Sequence, residues 1–490
     1  MISTKNDVIN ITYPKPDKEL TSGKFRDLLT YMGPGVILAA GTIGNGEVFF
    51  SSRGGAIYGY ILIWTYLLTA IMKGIVVYTG AKYITLTGEH PFARWGQIMP
   101  GPKNWLAIFL GAIALISFPS WASGFMNVLA QWASWVLGID IAYKKIIATV
   151  FAVIIFALLF IASYDRMEKI ITVIVLSMVV FSFVAVLAVK PEWLEVIKGM
   201  IIPTMPGNYA DWIVSKYPDV ASNPPLVELA AYLGALGGGT YDYIGYVGTL
   251  REKKWGLLGN PNCEKIQAQL RQLDKNEIIP LPTDEDSLYR ANSWLKATKI
   301  DDMVSFIGVF IIGTVFMVLG NVVLGTNGLQ LIPNDNEIIQ HQANFFATIS
   351  PILAIFYKLT IGITFFGSLV SLVTTVYPST FRESFAPSFP GLSKEENYNK
   401  IRIAISAYSL IGGLILIWSG FSYTKVVSFA SIMGGVFSLG VWGLAMIWTE
   451  KKALPKEYHF SKGMNVTILF FSLIMLILGL YAFAKFVGLA

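Results

Sequence analysis

Cysteine occurs once in this 490-residue chain, at Cys263, and histidine three times, at His90, His341 and His459. A single cysteine excludes an intrachain disulfide framework. The histidines all fall in connections between apolar runs, so no imidazole is placed inside those runs to ligate a metal or relay a proton. Charge is scarce as well. Asp, Glu, Lys and Arg make up 14% of the chain, whereas soluble domains carry about 25%. That is too little to cover a water-facing surface. The first 28 residues are polar and lack the apolar core and small-residue cleavage site of a signal peptide.

What the chain has instead is apolar sequence: 54% hydrophobic and 14% aromatic residues. These residues come in blocks of around twenty, the length a helix needs to cross about 30 Å of hydrocarbon. Eleven spans are expected, near 29–58, 60–82, 104–138, 144–162, 169–189, 226–250, 301–325, 345–378, 400–420, 424–449 and 464–488. The formal charge of +6 belongs to loop lysines and arginines and not to a nucleic-acid surface. Basic residues cluster before span 1 and after spans 2, 4, 6, 8 and 10, most densely in the loop 251–299. This alternation puts the amino terminus in the cytoplasm and the carboxyl terminus outside, in a multi-pass protein, expected in the plasma membrane.

Two spans contain glycine runs. Span 1 holds Gly41-Thr42-Ile43-Gly44-Asn45-Gly46-Glu47, and span 6 holds Gly237-Gly238-Gly239-Thr240-Tyr241-Asp242. Glycine costs about 1 kcal/mol per residue in a helix, so each run is expected to unwind its span. Unwound backbone at membrane depth is tolerated only where protein buries it or it lines a cavity. Breaks five spans apart point to a five-plus-five inverted repeat with a substrate held between them. The competing reading is that small residues simply let helices pack closely.

Further residues resemble the Nramp family of proton-coupled divalent-metal transporters. Gly33-Pro34-Gly35 opens span 1, and Gly54-Gly55-Ala56 with Tyr58-Gly59-Tyr60 closes its second half. Ala81-Lys82, Thr87-Gly88 and Arg166-Met167-Glu168 follow the same pattern. So does the most specific run, Lys190-Pro191-Glu192-Trp193 with Val196, Lys198-Gly199, Pro203 and Pro206. The resemblance implies an all-α, leucine-transporter-type fold of eleven helices, with helices 1 and 6 broken. It divides the chain into a segment 1–28, a first repeat 29–189, a second repeat 226–449 and an extra helix 464–488. The family's Asp-Pro-Gly-Asn falls on Gly44-Asn45-Gly46-Glu47, and its Met-Pro-His on Gly238-Gly239-Thr240. The acidic pair of span 3 falls near Ala122 and Phe125. The chain therefore reads as a divergent member whose soft-metal ligands are missing.

Candidate binding residues are Gly44, Asn45, Gly46, Glu47, Gly237, Gly238, Gly239 and Thr240, with Glu47, Asp242 and Lys73 as ion or coupling candidates. Burying a charge costs at least about 2.5 kcal/mol on insertion scales, so intramembrane ionisable residues are functional candidates by default. Each also has a plain structural explanation. A carboxylate in the first turn of a half-helix interacts favourably with the helix dipole. Lys73 is placed to snorkel towards the cytoplasmic face or to pair with an acid, and Arg53 is placed at an interface. Phe49, Phe50, Tyr241, Tyr243 and Tyr246 read as packing.

Two cargo classes fit. Glu47 and Asp242 with carbonyls and Asn45 offer a hard-oxygen site for magnesium, calcium or manganese. Alternatively, the glycine amides face the anionic group of an organic acid or amino acid. A coupled proton or sodium ion and the lipid bilayer are the other expected partners. No enzyme activity or cofactor is expected, because no nucleophile–base pair or phosphate loop is present. A transporter-like sensor, with the loop 251–299 as its output, is the remaining alternative.

Overall fold

The computed structural model describes residues 11–31, 45–160, 179–275, 277–335 and 337–489. The membrane-length helices and half-helices are α1 Ser51–Tyr58, α2 Ile63–Thr87, α3 Trp105–Leu137, α4 Lys144–Leu158 and α5 Val179–Val189. They continue as α6 Pro225–Ala235, α7 Thr240–Lys253, α8 Glu285–Leu319, α9 Pro351–Ser371 and α10 Tyr377–Phe385. The last four are α11 Glu395–Trp418, α12 Tyr423–Ala430, α13 Ser438–Ala453 and α14 Lys462–Phe486. Several join through π-helical turns, so that 351–385 and 423–453 each run as one long rod.

Eight such rods among the described residues are long and apolar enough to cross a membrane, and neither half of span 6 is one of them. Spans 1 and 2 form one unbroken stretch, Gly46–Thr87. Its bend is at Gly59, whose φ of +66° is open to glycine at little cost. The expected runs Gly33-Pro34-Gly35, 41–44 and Arg166-Met167-Glu168 lie outside the described residues.

Apolar patterning explains the packing. α4 and α14 leave Ile146, Val150, Val153, Val466, Phe470 and Ile477 exposed, as a lipid-facing surface requires. Inward, α2 packs on α8, α3 on α11, α7 on α10, and α6 on the turn Ser431–Phe437. Glycine sets several of these approaches: a Cβ at Gly55 would lie 2.0 Å from the Met317 carbonyl oxygen, and one at Gly435 would lie 2.0 Å from that of Gly234. Ala122 and Phe125, which align with the acidic pair of span 3, are buried in the apolar core.

Candidate functional site

Span 6 is broken where its glycines stand. α6 stops at Ala235, residues 236–239 are non-helical, and α7 begins at Thr240. Gly237 and Gly238 have φ of +70° and +81°, a region closed to most side-chain-bearing residues. The other glycine run is seen from Asn45, which opens a π-helical turn through Phe50 that leads into α1. Gly44 lies outside the described residues, as does the side chain of Asn45. Gly46 is used for close approach: a Cβ there would meet the Ala235 carbonyl oxygen at 2.4 Å. At this position close packing and the break are one feature.

The two runs meet. Glu47 is fully buried, and its Oε1 accepts a 2.8 Å hydrogen bond from the Gly237 amide. Asp242 Oδ2 accepts from the Gly239 amide at 3.0 Å and so caps α7. The exposed amides of the break are therefore held by the chain's own carboxylates. The carbonyls are held by Lys73, whose Nζ donates to the oxygens of Gly234, Leu236 and Gly238 at 3.0, 2.6 and 2.6 Å. Lys73 is 0% exposed, so the expectation of snorkelling is overturned: the ammonium points into the bundle, where α2 crosses the end of α6. Its hydrogen bonds go to these three carbonyls, and the nearby Glu47 and Asp242 carboxylates attract it as well.

At the start of α7 are polar atoms that the protein leaves unsatisfied. Thr240 Oγ1 and Asp242 Oδ1 are buried without a hydrogen-bond partner in the protein. The Tyr241 hydroxyl between them lies beside the indole N–H of Trp121, acceptor to its donor, with the two rings 5.8 Å apart. An unsatisfied buried polar group costs about 1–3 kcal/mol, so these two oxygens stand out in a folded chain.

The structure corrects two further expectations. Arg53 is not interfacial: it is 2% exposed and forms a buried ion pair with Glu228 at 3.3 Å, while its Nη1 donates to the Pro333 carbonyl at 2.8 Å. Tyr243 does more than pack, since its hydroxyl donates to the carbonyls of Gly237 and Gly238 at 2.8 and 3.2 Å. Phe49 and Phe50 do pack, edge-on to each other and against Tyr423 and Tyr232.

Sequence reasoning missed several residues. Gly434 makes room for the Tyr241 ring, which a Cβ there would meet at 2.3 Å, and the Gly434-Gly435 pair inside an apolar run is the signal that could have found it. Asp301 and Asp302 are also buried within α8, where Tyr246 OH donates to Asp301 Oδ2 at 3.1 Å. A cavity of about 830 Å³ opens beside the segment 251–299, lined by Glu89, His90, Gly248, Arg251, Ser379 and Glu383. It ends near Gly248, about 9 Å along α7 from Asp242 at 1.5 Å per residue. Arg251 pairs with Glu383 across it, joining α7 to α10. Among the described residues no group of three or more His, Cys, Asp or Glu could hold a metal ion.

A family model described as natural resistance-associated macrophage protein-like matches residues 35–239. A divalent metal cation transporter MntH of Caldanaerobacter subterraneus subsp. tengcongensis is 20% identical over 480 residues, 95% of each chain. Among solved structures, a single-residue mutant of the Eremococcus coleocola manganese transporter superposes with a TM-score of 0.67 at 13% identity, over 98% of this chain and 90% of that one. MhsT in complex with L-phenylalanine superposes at 0.50 with 15% identity, over 92% and 97%. These likenesses agree on a leucine-transporter-type helical fold, and the named relatives are transporters and not enzymes. The chain is a multi-pass membrane protein that resembles Nramp proteins over residues 35–239.

Proposed function

We propose that the chain is a secondary-active transporter that carries a hard divalent cation of the magnesium, calcium or manganese class by alternating access. The observation that carries this reading is the pair of unsatisfied oxygens on Thr240 and Asp242, with the Tyr241 hydroxyl between them and the buried Glu47 bound to the same unwound segment. All are hard-oxygen donors, which suit these ions. None of Glu47, Thr240, Tyr241 and Asp242 carries the sulfur or imidazole that favours softer ions. The relatives' names as divalent-metal and manganese transporters support the same class.

In this reading α1, α2, α6, α7 and α8 rock against α3, α4, α5, α9, α10, α11, α12 and α13, with hinges at the glycine runs. The Arg251–Glu383 pair joins α7 to α10 on the side bearing 251–299, and that side faces the cytoplasm, most simply at the plasma membrane. Coupling to a proton or sodium ion runs through Glu47 or Asp242. A second reading, an organic anion or amino acid as cargo, is favoured by the Trp121 N–H beside Tyr241, which is a donor only.

Calorimetry on the purified protein separates the two. Manganese, magnesium or calcium should bind, and Asp242→Asn should weaken binding at least tenfold. Binding of amino or organic acids with no response to the cations would replace the first reading by the second.

A further inference from the structure

In broken-helix transporters, unwound carbonyls and the carboxyl end of a half-helix coordinate a small coupling cation. That end carries roughly half a negative charge from the helix dipole. Here the equivalent carbonyls are all engaged within the chain. Gly234, Leu236 and Gly238 accept from Lys73 Nζ at 2.6–3.0 Å. Gly237 accepts from Tyr243 OH at 2.8 Å, and Ala235 accepts from the Gly238 amide at 3.3 Å. An ammonium has three donors and no acceptor, and this one directs its donors to three oxygens while fully buried. Burying a charge is costly unless such partners are in place.

We propose that Lys73 is a covalently tethered cation: its ammonium occupies the carbonyl cradle at the end of α6, so this carrier neither needs nor binds a free monovalent cation there. The consequence is a specificity rule. Sodium and potassium have no cradle to stabilise, and removing the ammonium should create one that accepts a small cation of similar size, best of all another ammonium. The cargo at Glu47, Thr240 and Asp242 is a separate question, because those oxygens are not the cradle's.

The test is thermal unfolding of the full-length protein in detergent, in chloride salts of sodium, potassium, ammonium, methylammonium and choline at equal ionic strength. Every sample carries Glu47→Gln and Asp242→Asn, so that the proposed coupling carboxylates take no ion, and wild type in this series means Lys73 in that background. The wild-type midpoint should be the same in all five. Lys73→Ala should unfold several degrees lower in choline and recover most of the loss in ammonium or methylammonium, by linkage to binding. Lys73→Met, which keeps an apolar stem, should show the same deficit without the recovery. A wild-type midpoint that rises in sodium or potassium relative to choline would overturn the proposal. So would a Lys73→Ala protein as stable as wild type and indifferent to every salt. If neither variant folds, the wild-type series decides: indifference upholds the tethered cation and an alkali-metal response refutes it. None of these readouts requires cargo to move, so failure of the transport reading would leave this inference standing.

Discussion

Glu47 Oε1 and the Gly237 amide, 190 residues apart in sequence, are joined by a 2.8 Å hydrogen bond that ties the first glycine run to the second. The bond uses one carboxylate oxygen and one otherwise exposed donor of the unwound segment. Glu47→Gln keeps an oxygen acceptor there, so it should cost less than about 1 kcal/mol of stability. Glu47→Ala strands the buried amide and should cost about 1–3 kcal/mol. Uptake should fall at least tenfold in both variants. Thermal unfolding read beside transport separates the structural contact from the charge.

The glycines of the break differ in what they tolerate. Gly238, at φ +81°, should lose about 1–2 kcal/mol on substitution by alanine, from backbone conformation alone. Gly46→Ala would force the backbone at Ala235 to move, since the new Cβ would lie 2.4 Å from its carbonyl oxygen. Gly308 sits in α8 with nothing within 4 Å of where a methyl group would stand, so Gly308→Ala should be neutral or stabilising by up to about 1 kcal/mol. Unfolding midpoints of the three variants should therefore order with Gly308→Ala highest.

Arg53 and Glu228 form a buried pair, with Asn223 Nδ2 and Tyr232 OH also donating to the carboxylate at 3.0 and 2.7 Å. Arg53→Met should destabilise by about 3–5 kcal/mol because it leaves a buried carboxylate without its cation. Adding Glu228→Gln should return part of that loss. A double-mutant cycle measures the coupling, and additive losses would show that the pair is not energetically linked.

His90 caps the helix Pro91–Ile98 outside the membrane spans: Nδ1 accepts from the Phe92 amide, and Nε2 lies 3.2 Å from the Ile244 carbonyl. Burial pushes its pKa down from 6.5 to about 4, with Arg251 adding to the fall and Glu383 opposing it. Below pH 6.5 the unfolded chain takes up a proton that the folded chain refuses. Stability should therefore drop as pH falls from 6.5 towards 4, by about 3 kcal/mol for this group, and level off below. His90→Asn keeps a capping oxygen and should flatten the pH profile of unfolding in that window relative to wild type.

The fold is readable in the sequence because its signals are local. Runs of about twenty apolar residues define the rods, and three consecutive glycines mark the break at 237–239. The site is less readable because its partners are distant. Lys73 finds the carbonyls of 234–238 across more than 160 residues, and nothing near it in sequence says which way an isolated lysine on a buried helix points. Arg53 is obscured for the same reason, its partner lying 175 residues away. Asp301 and Asp302 escape notice because the charged stretch before them looks like loop. In fact α8 starts at Glu285, which places both aspartates inside a continuous 35-residue helix.

Uptake into proteoliposomes tests the central claim most directly. Protein reconstituted with manganese, magnesium or calcium outside should accumulate at least one of these ions, and Glu47→Gln and Asp242→Asn should each abolish that accumulation while remaining folded. Uptake undiminished in both variants, or no movement of any divalent ion by wild-type protein that is folded and correctly inserted, would contradict it.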